Sequence, residues 1–209
     1  MKKLLLLLLF VSFAFGQTIS IKHTAYDITF DTILKEPVQS HYLLLSKNWG
    51  VKKSKRSASF HKDSFVKSTL QGSNKDYLNS GYDKGHLSPN NDFRYSRKTQ
   101  KESMVYTIVC PQNKWFNEHL WLAVENYVRQ VQKKYDVEVW TGTIFPTTDK
   151  KYVGTLLIPS FYWKVIKYNG IFHARSEEHT SELQSPTTLF PYTTLFRSEQ
   201  YSQLPIKNM

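Results

Sequence analysis

A few side chains in the 209-residue sequence stand where their chemistry can be put to use. His86 lies in the run Ser80-Gly81-Tyr82-Asp83-Lys84-Gly85-His86-Leu87-Ser88-Pro89. Gly85 lets another segment approach the backbone and Pro89 fixes the turn that follows, so this imidazole is held rather than free to swing. Imidazole is also the side chain best matched to taking up a proton near neutral pH. Asn117, Trp121 and Glu125 recur every fourth residue. At about 100° per residue each step drifts only about 40° around an α-helix, so they form one stripe offset from its apolar face. Arg56 closes the basic run Lys52-Lys53-Ser54-Lys55-Arg56, and a guanidinium is suited to clamping oxyanions. Each group also has a plainer reading: a structural histidine, a helix N-cap, a solvated carboxylate, a solvated basic run.

Periodicity outlines the elements that must carry these groups. Two β-rich stretches, Ile19 to Phe30 and Val38 to Leu45, are split by Lys35-Glu36-Pro37, with Pro37 marking the turn. Trp49 to Asn79 is polar and aperiodic, a long loop carrying short strands, and loops of that length tend to be functional. Met104 to Cys110 has the β-branched, apolar character of a buried strand that Pro111 stops. Phe116, Leu120, Val124, Tyr127, Val128, Val131 and Tyr135 then fall at helical spacing and predict a helix from about Asn117 to Lys134. Val137 to Phe145 and Tyr152 to Tyr168 supply late strands. With no internal repeat or low-complexity linker, this order predicts one α+β domain on a mainly antiparallel sheet.

The formal charge of +11 favours polyanionic partners, although basic surfaces also suit anionic membranes and cell-wall polymers. Met1-Lys2-Lys3, the apolar run Leu4 to Phe15 and the small-residue site before Gln17 predict a signal peptide over residues 1–16. The run is too short to span a bilayer as a helix. A secreted or periplasmic product without stable membrane insertion is therefore expected, and +11 less Lys2 and Lys3 leaves +9. Cys110 is the single cysteine. It can form no internal bridge and reads as a small buried apolar residue.

Taken in order, these motifs resemble the DNA/RNA non-specific endonuclease family, whose core is a ββα-metal finger. The family's Asp-Arg-Gly-His appears as Asp83-Lys84-Gly85-His86, within Asp76-Tyr77, Ser80-Gly81-Tyr82, Pro89 and Asp92. Its Pro-Gln, metal-binding Asn, Trp and Glu match Pro111-Gln112, Asn117, Trp121 and Glu125, and its upstream Arg, Phe and Asp match Arg56, Phe60 and Asp63. The resemblance covers about Tyr26 to Tyr168. It implies an endonuclease hydrolysing DNA and RNA with little sequence specificity, dependent on Mg2+ or another divalent cation such as Mn2+. His86 would be the catalytic base, Asn117 the metal ligand, Glu125 the holder of a water beside the metal, and Arg56 the phosphoryl clamp. Asp83 would orient the loop or the imidazole. Lys84, Lys114 and Trp115 would contact nucleic acid through charge and stacking. Two departures, Lys84 for the usual Arg and Ile108 where some members carry an Asn, motivate an alternative: an exported nucleic-acid-binding protein that has lost catalysis.

One stretch is foreign in character. Arg175 to Ser185 and Thr188 to Ser198 resemble translations of two common short-read sequencing adapters placed end to end. The nuclease domain is thus expected over residues 17–174, with 175–198 an artefact and 199–209 a displaced or truncated tail.

Overall fold

A computed structural model describes residues 18–57 and 59–178. The leader expected over residues 1–16 and the adapter-like stretch beyond Glu178 lie outside the described residues.

In chain order the strands are β1 (Thr18–Lys22), β2 (Tyr26–Asp31), β3 (Glu36–Leu44), β4 (Tyr82–His86), β5 (Val109–Asn113), β6 (Val137–Ile144), β7 (Tyr152–Val153), β8 (Leu156–Leu157), β9 (Phe161–Tyr168) and β10 (Ile171–Glu178). The helices are α1 (Asn74–Tyr77), α2 (Arg97–Glu102) and α3 (Leu122–Gln132), the last entered through a π-helical turn at Phe116–Trp121. A six-stranded sheet runs in the order β1-β2-β3-β6-β9-β10, and every pairing in it is antiparallel. The fold is α+β on a mainly antiparallel sheet, as the order of strand-rich and helical segments predicts. Beside it, β4 and β5 form a separate antiparallel ribbon.

Ribbon, sheet and helix meet in a core that includes Ile28, Phe30, Tyr42, Phe93, Ile108, Val109, Val128, Val139 and Ile166. A second cluster joins Leu87, Cys110, Phe116, Trp121 and Tyr162, fastening the ribbon to the entry of α3. Cys110 is fully buried, its thiol 3.6 Å from the Pro37 carbonyl. Among the described residues no helix is long and apolar enough to cross a membrane.

Both prolines behave differently from expectation. Pro37 lies inside β3, opposite Phe30 at a bulge, and the chain reverses before it, where Lys35 takes φ 63°. Pro111 likewise sits inside β5, opposite Lys84, and the segment before β5 is a 3-10 turn at Tyr106–Ile108 rather than a strand. The Leu87 amide bonds to the Ile108 carbonyl. By antiparallel alternation, Lys84 and Pro111 then form a non-hydrogen-bonded pair, where the missing N–H costs the ladder nothing. The long segment after Trp49 carries a 3-10 turn and α1 rather than strands, with an isolated bridge from His61 to Val105.

Candidate active site

Antiparallel pairing of β4 with β5 displays the Asp83-Lys84-Gly85-His86 motif on a rigid ribbon. Gly85 is required there, because a Cβ would overlap the Gln112 side chain that crosses it from β5. Alternation along the strand then sends Lys84 and His86 to one face. Phe60 packs on that face, its ring centre 5.3 Å from the imidazole and 5.7 Å from Lys84 Nζ, which also stands 5.0 Å over the Tyr77 ring.

His86 is half-buried and its Nε2 lies 3.1 Å from the Ser103 carbonyl oxygen. A carbonyl can only accept, so Nε2 carries the proton and donates, which leaves Nδ1 as a lone-pair acceptor. Burial, and after it the Arg56 charge, push the imidazole down to about 4, against the opposing pull of the Ser103 bond. The ring is therefore neutral at pH 7 and able to accept a proton at Nδ1. Arg56 itself is exposed, on the loop whose charge His86 feels.

Asn117 does not cap the helix. That role falls to Asn113, whose Oδ1 accepts from the Phe116 amide at 3.1 Å. The Asn117 side chain turns back to the ribbon, donating from Nδ2 to Asp83 Oδ2 at 2.9 Å. With its nitrogen so engaged, the amide directs Oδ1, its one atom able to hold a cation, away from Asp83. Among the described residues no group of three or more His, Cys, Asp or Glu side chains could hold a metal ion. One oriented amide oxygen suits Mg2+, which keeps several waters, better than Zn2+, which takes three or four His, Cys or carboxylate ligands from the protein.

The stripe of Asn117, Trp121 and Glu125 was expected to lie off the apolar face, and the π turn instead brings Trp121 into the core. It adds a residue to the turn, so the mate of buried Phe116 is residue 121 rather than Leu120. Trp121 is fully buried, stacked on Phe116 at 5.7 Å and edge-on to Tyr162 at 5.6 Å. Glu125 follows on α3 within a mostly buried cluster of charges. Its Oε2 is 3.6 Å from Arg129 Nη1, which reaches Asp92 Oδ1 at 2.9 Å. Beneath them Lys164, only 2% exposed, rises from β9 with its Nζ 4.9 Å from the Trp121 ring centre. Burial pushes the Glu125 carboxyl up to about 7; Lys164 and Arg129 oppose this and Asp92 adds to it. Burial likewise lowers Lys164 to about 8, with Glu125 and Asp92 opposing.

Lys114 and Trp115 are exposed at the start of the helix, and Trp115 stacks on His119 at 5.2 Å. The contacts thus tie Lys84, His86 and Phe60 on one face of the ribbon, and Asp83 to Asn117 across to the helix. Glu125 belongs to the neighbouring cluster. Sequence reasoning missed Arg129 and Lys164. Arg129 follows Glu125 by one helical turn, and Lys164 is a charge at an inward position of β9, between Tyr162 and Ile166; both signals were readable.

A family model described as DNA/RNA non-specific endonuclease matches residues 10–207. The chain is 32% identical over 122 residues to mitochondrial endonuclease G of Bos taurus, which covers 53% of this chain and 41% of that protein. It is 33% identical over 119 residues to nuclease C1 of Cunninghamella echinulata var. echinulata, covering 51% and 47%. Each match thus spans less than half of the relative's length. A crystal structure of an EndoG/EndoGI complex superposes with a TM-score of 0.67 at 25% identity, covering 81% of this chain and 77% of that one.

Proposed function

Because the chain belongs to the DNA/RNA non-specific endonuclease family, we propose that it hydrolyses phosphodiester bonds of DNA and RNA with little sequence preference, using a divalent cation. The observation that carries this reading is the His86 imidazole, kept neutral with Nε2–H tied to Ser103 and Nδ1 left as the acceptor.

In this reading His86 Nδ1 takes the proton of an attacking water. Arg56 clamps the phosphoryl oxygens as charge develops on them, and Lys84, Lys114 and Trp115 contact the strand. Asn117 Oδ1 would hold the cation directly, and Glu125 would hold it through a water. Bound there, Mg2+ would supply Lewis-acid neutralisation of the phosphate and of the leaving oxygen. None of these contacts reads a base edge, so little sequence preference follows. Export is part of the proposal, supported by the leader-like composition of residues 1–16.

The test is incubation of plasmid and of RNA with the chain in Mg2+ and in EDTA, alongside His86→Ala. Cleavage of both substrates in Mg2+ only is expected. H86A should lose about 100-fold to 10,000-fold in turnover while still binding DNA. Cleavage by H86A at the unaltered rate would sink the mechanism. DNA binding by the unaltered chain without cleavage in Mg2+ would favour the non-catalytic alternative.

A further inference from the structure

A cation outside the ion pairs of the candidate site, Lys53, stands at a second place. A cavity of about 200 Å3 lies where the loop after β3, the 3-10 turn at Asn90–Phe93 and α3 meet, and Trp49, Lys53, Asn91, Asp92, Tyr95 and Arg129 line it. Of its one carboxylate, Asp92 Oδ1 takes Arg129 Nη1 at 2.9 Å and Oδ2 is buried without a hydrogen-bond partner, while Nη2 of the same guanidinium donates to Asn126 at 2.8 Å. Lys53 has a neutral partner, donating to Asn91 Oδ1 at 3.0 Å. Burial, then the like charges of Arg129 and Arg94, lower its pKa, and Asp92 opposes them. An ammonium in such company on a cavity wall is stabilised by an incoming anion. Trp49 beside it stays 40% exposed although Lys133 Nζ stands 5.2 Å from its ring centre. An exposed ring next to a cation suits a nucleoside next to its phosphate.

We propose that this cavity is a second substrate subsite, taking a backbone phosphate of the bound nucleic acid on Lys53 with the adjoining nucleoside against Trp49. The inference rests on the nuclease reading for the identity of its ligand and adds where the strand is gripped away from the bond that is cut.

The experiment measures binding of a fluorescein-labelled single-stranded DNA oligonucleotide to the full chain in EDTA, across a salt series. Lys53→Gln should raise Kd roughly fivefold and make the slope of log Kd against log salt shallower by about 0.7. K53R should retain the slope of the unaltered chain, and Trp49→Ala should raise Kd with the slope unchanged. Lys150→Gln, exposed beyond the far end of β6, is the control and should alter neither. An unchanged slope in K53Q overturns the subsite, as does an equal loss in K150Q. Plasmid cleavage in Mg2+ is scored separately. Its absence from the unaltered chain sinks the nuclease reading, whereas an unchanged K53Q slope in a chain that cleaves sinks the subsite alone.

Discussion

Asp83 accepts a 2.9 Å hydrogen bond from the amide of Asn117, a residue 34 positions further along the chain. Through that bond the ribbon that carries His86 also fixes which way the amide oxygen on the helix points. Removing the acceptor in Asp83→Ala frees the amide to rotate. The divalent-ion concentration for half-maximal cleavage is expected to rise by about 10-fold to 100-fold. Asp83→Asn keeps an accepting oxygen and should recover most of the loss. Coincident metal titrations for D83A and the unaltered chain would remove the orienting role.

Glu125 rather than His86 should set the acid limb of the pH–rate profile. The imidazole stays neutral down to about 4, whereas burial keeps the Glu125 carboxyl protonated until about pH 7. If the carboxylate is the working form, rate rises with pH through a midpoint below about 7, because the divalent cation held beside Glu125 favours the ionised form. Lys164 favours that ionised form, so Lys164→Met removes a charge that holds the midpoint down and should move it upward, leaving the plateau at higher pH largely intact. A midpoint that stays in place in K164M would show that the buried ammonium does not govern Glu125.

The sheet and the Asp83-Lys84-Gly85-His86 motif were legible because strand composition and glycine placement are local properties, whereas the ribbon that pairs this motif with β5 was not. Val137 to Phe145 reads as a strand from its own residues, and the observed β6 differs from it by one residue. Two features escaped for a physical reason. The π turn depends on how Phe116 and Trp121 pack against Tyr162, so an ideal helix drawn from sequence put Trp121 on the wrong face. The prolines at 37 and 111 read as breakers because propensity counts the missing N–H without knowing whether a partner strand needs it. The pairing of Asp83 with Asn117 and the gathering of Glu125, Arg129, Asp92 and Lys164 are tertiary facts. Only the residue types were visible beforehand.

Glu36 at the start of β3 is fully buried, and burial pushes its carboxyl well above the usual range. Below the ordinary carboxylate pKa of about 4.3, folded and unfolded states are both protonated, and the group carries no penalty. As pH rises above that, the unfolded chain ionises while the folded one does not, and stability falls until the folded pKa is reached. Glu36→Gln keeps the shape without the ionisation. Its melting temperature should match that of the unaltered chain around pH 4 and exceed it by several degrees around pH 8, given roughly 2–4 °C per kcal/mol at this chain length. A melting temperature at or below that of the unaltered chain around pH 8 would contradict the assignment.

Residues 175–198, we infer, are not native to the gene. β10 carries the first four of them in register with β9, pairing Arg175 with Lys164, Ser176 with Trp163, Glu177 with Tyr162 and Glu178 with Phe161. Such a ladder engages only main-chain N–H and C=O groups, so any sequence can extend it, and the pairing says nothing for these side chains. Packing is more demanding. Trp163 is only 2% exposed, and a β-branched or aromatic neighbour suits it better than Ser176. Amplifying and resequencing the locus should therefore replace the two adapter-like strings with a continuation of β10 that restores an apolar residue opposite Trp163. Recovery of the same codons from genomic DNA would establish the stretch as authentic.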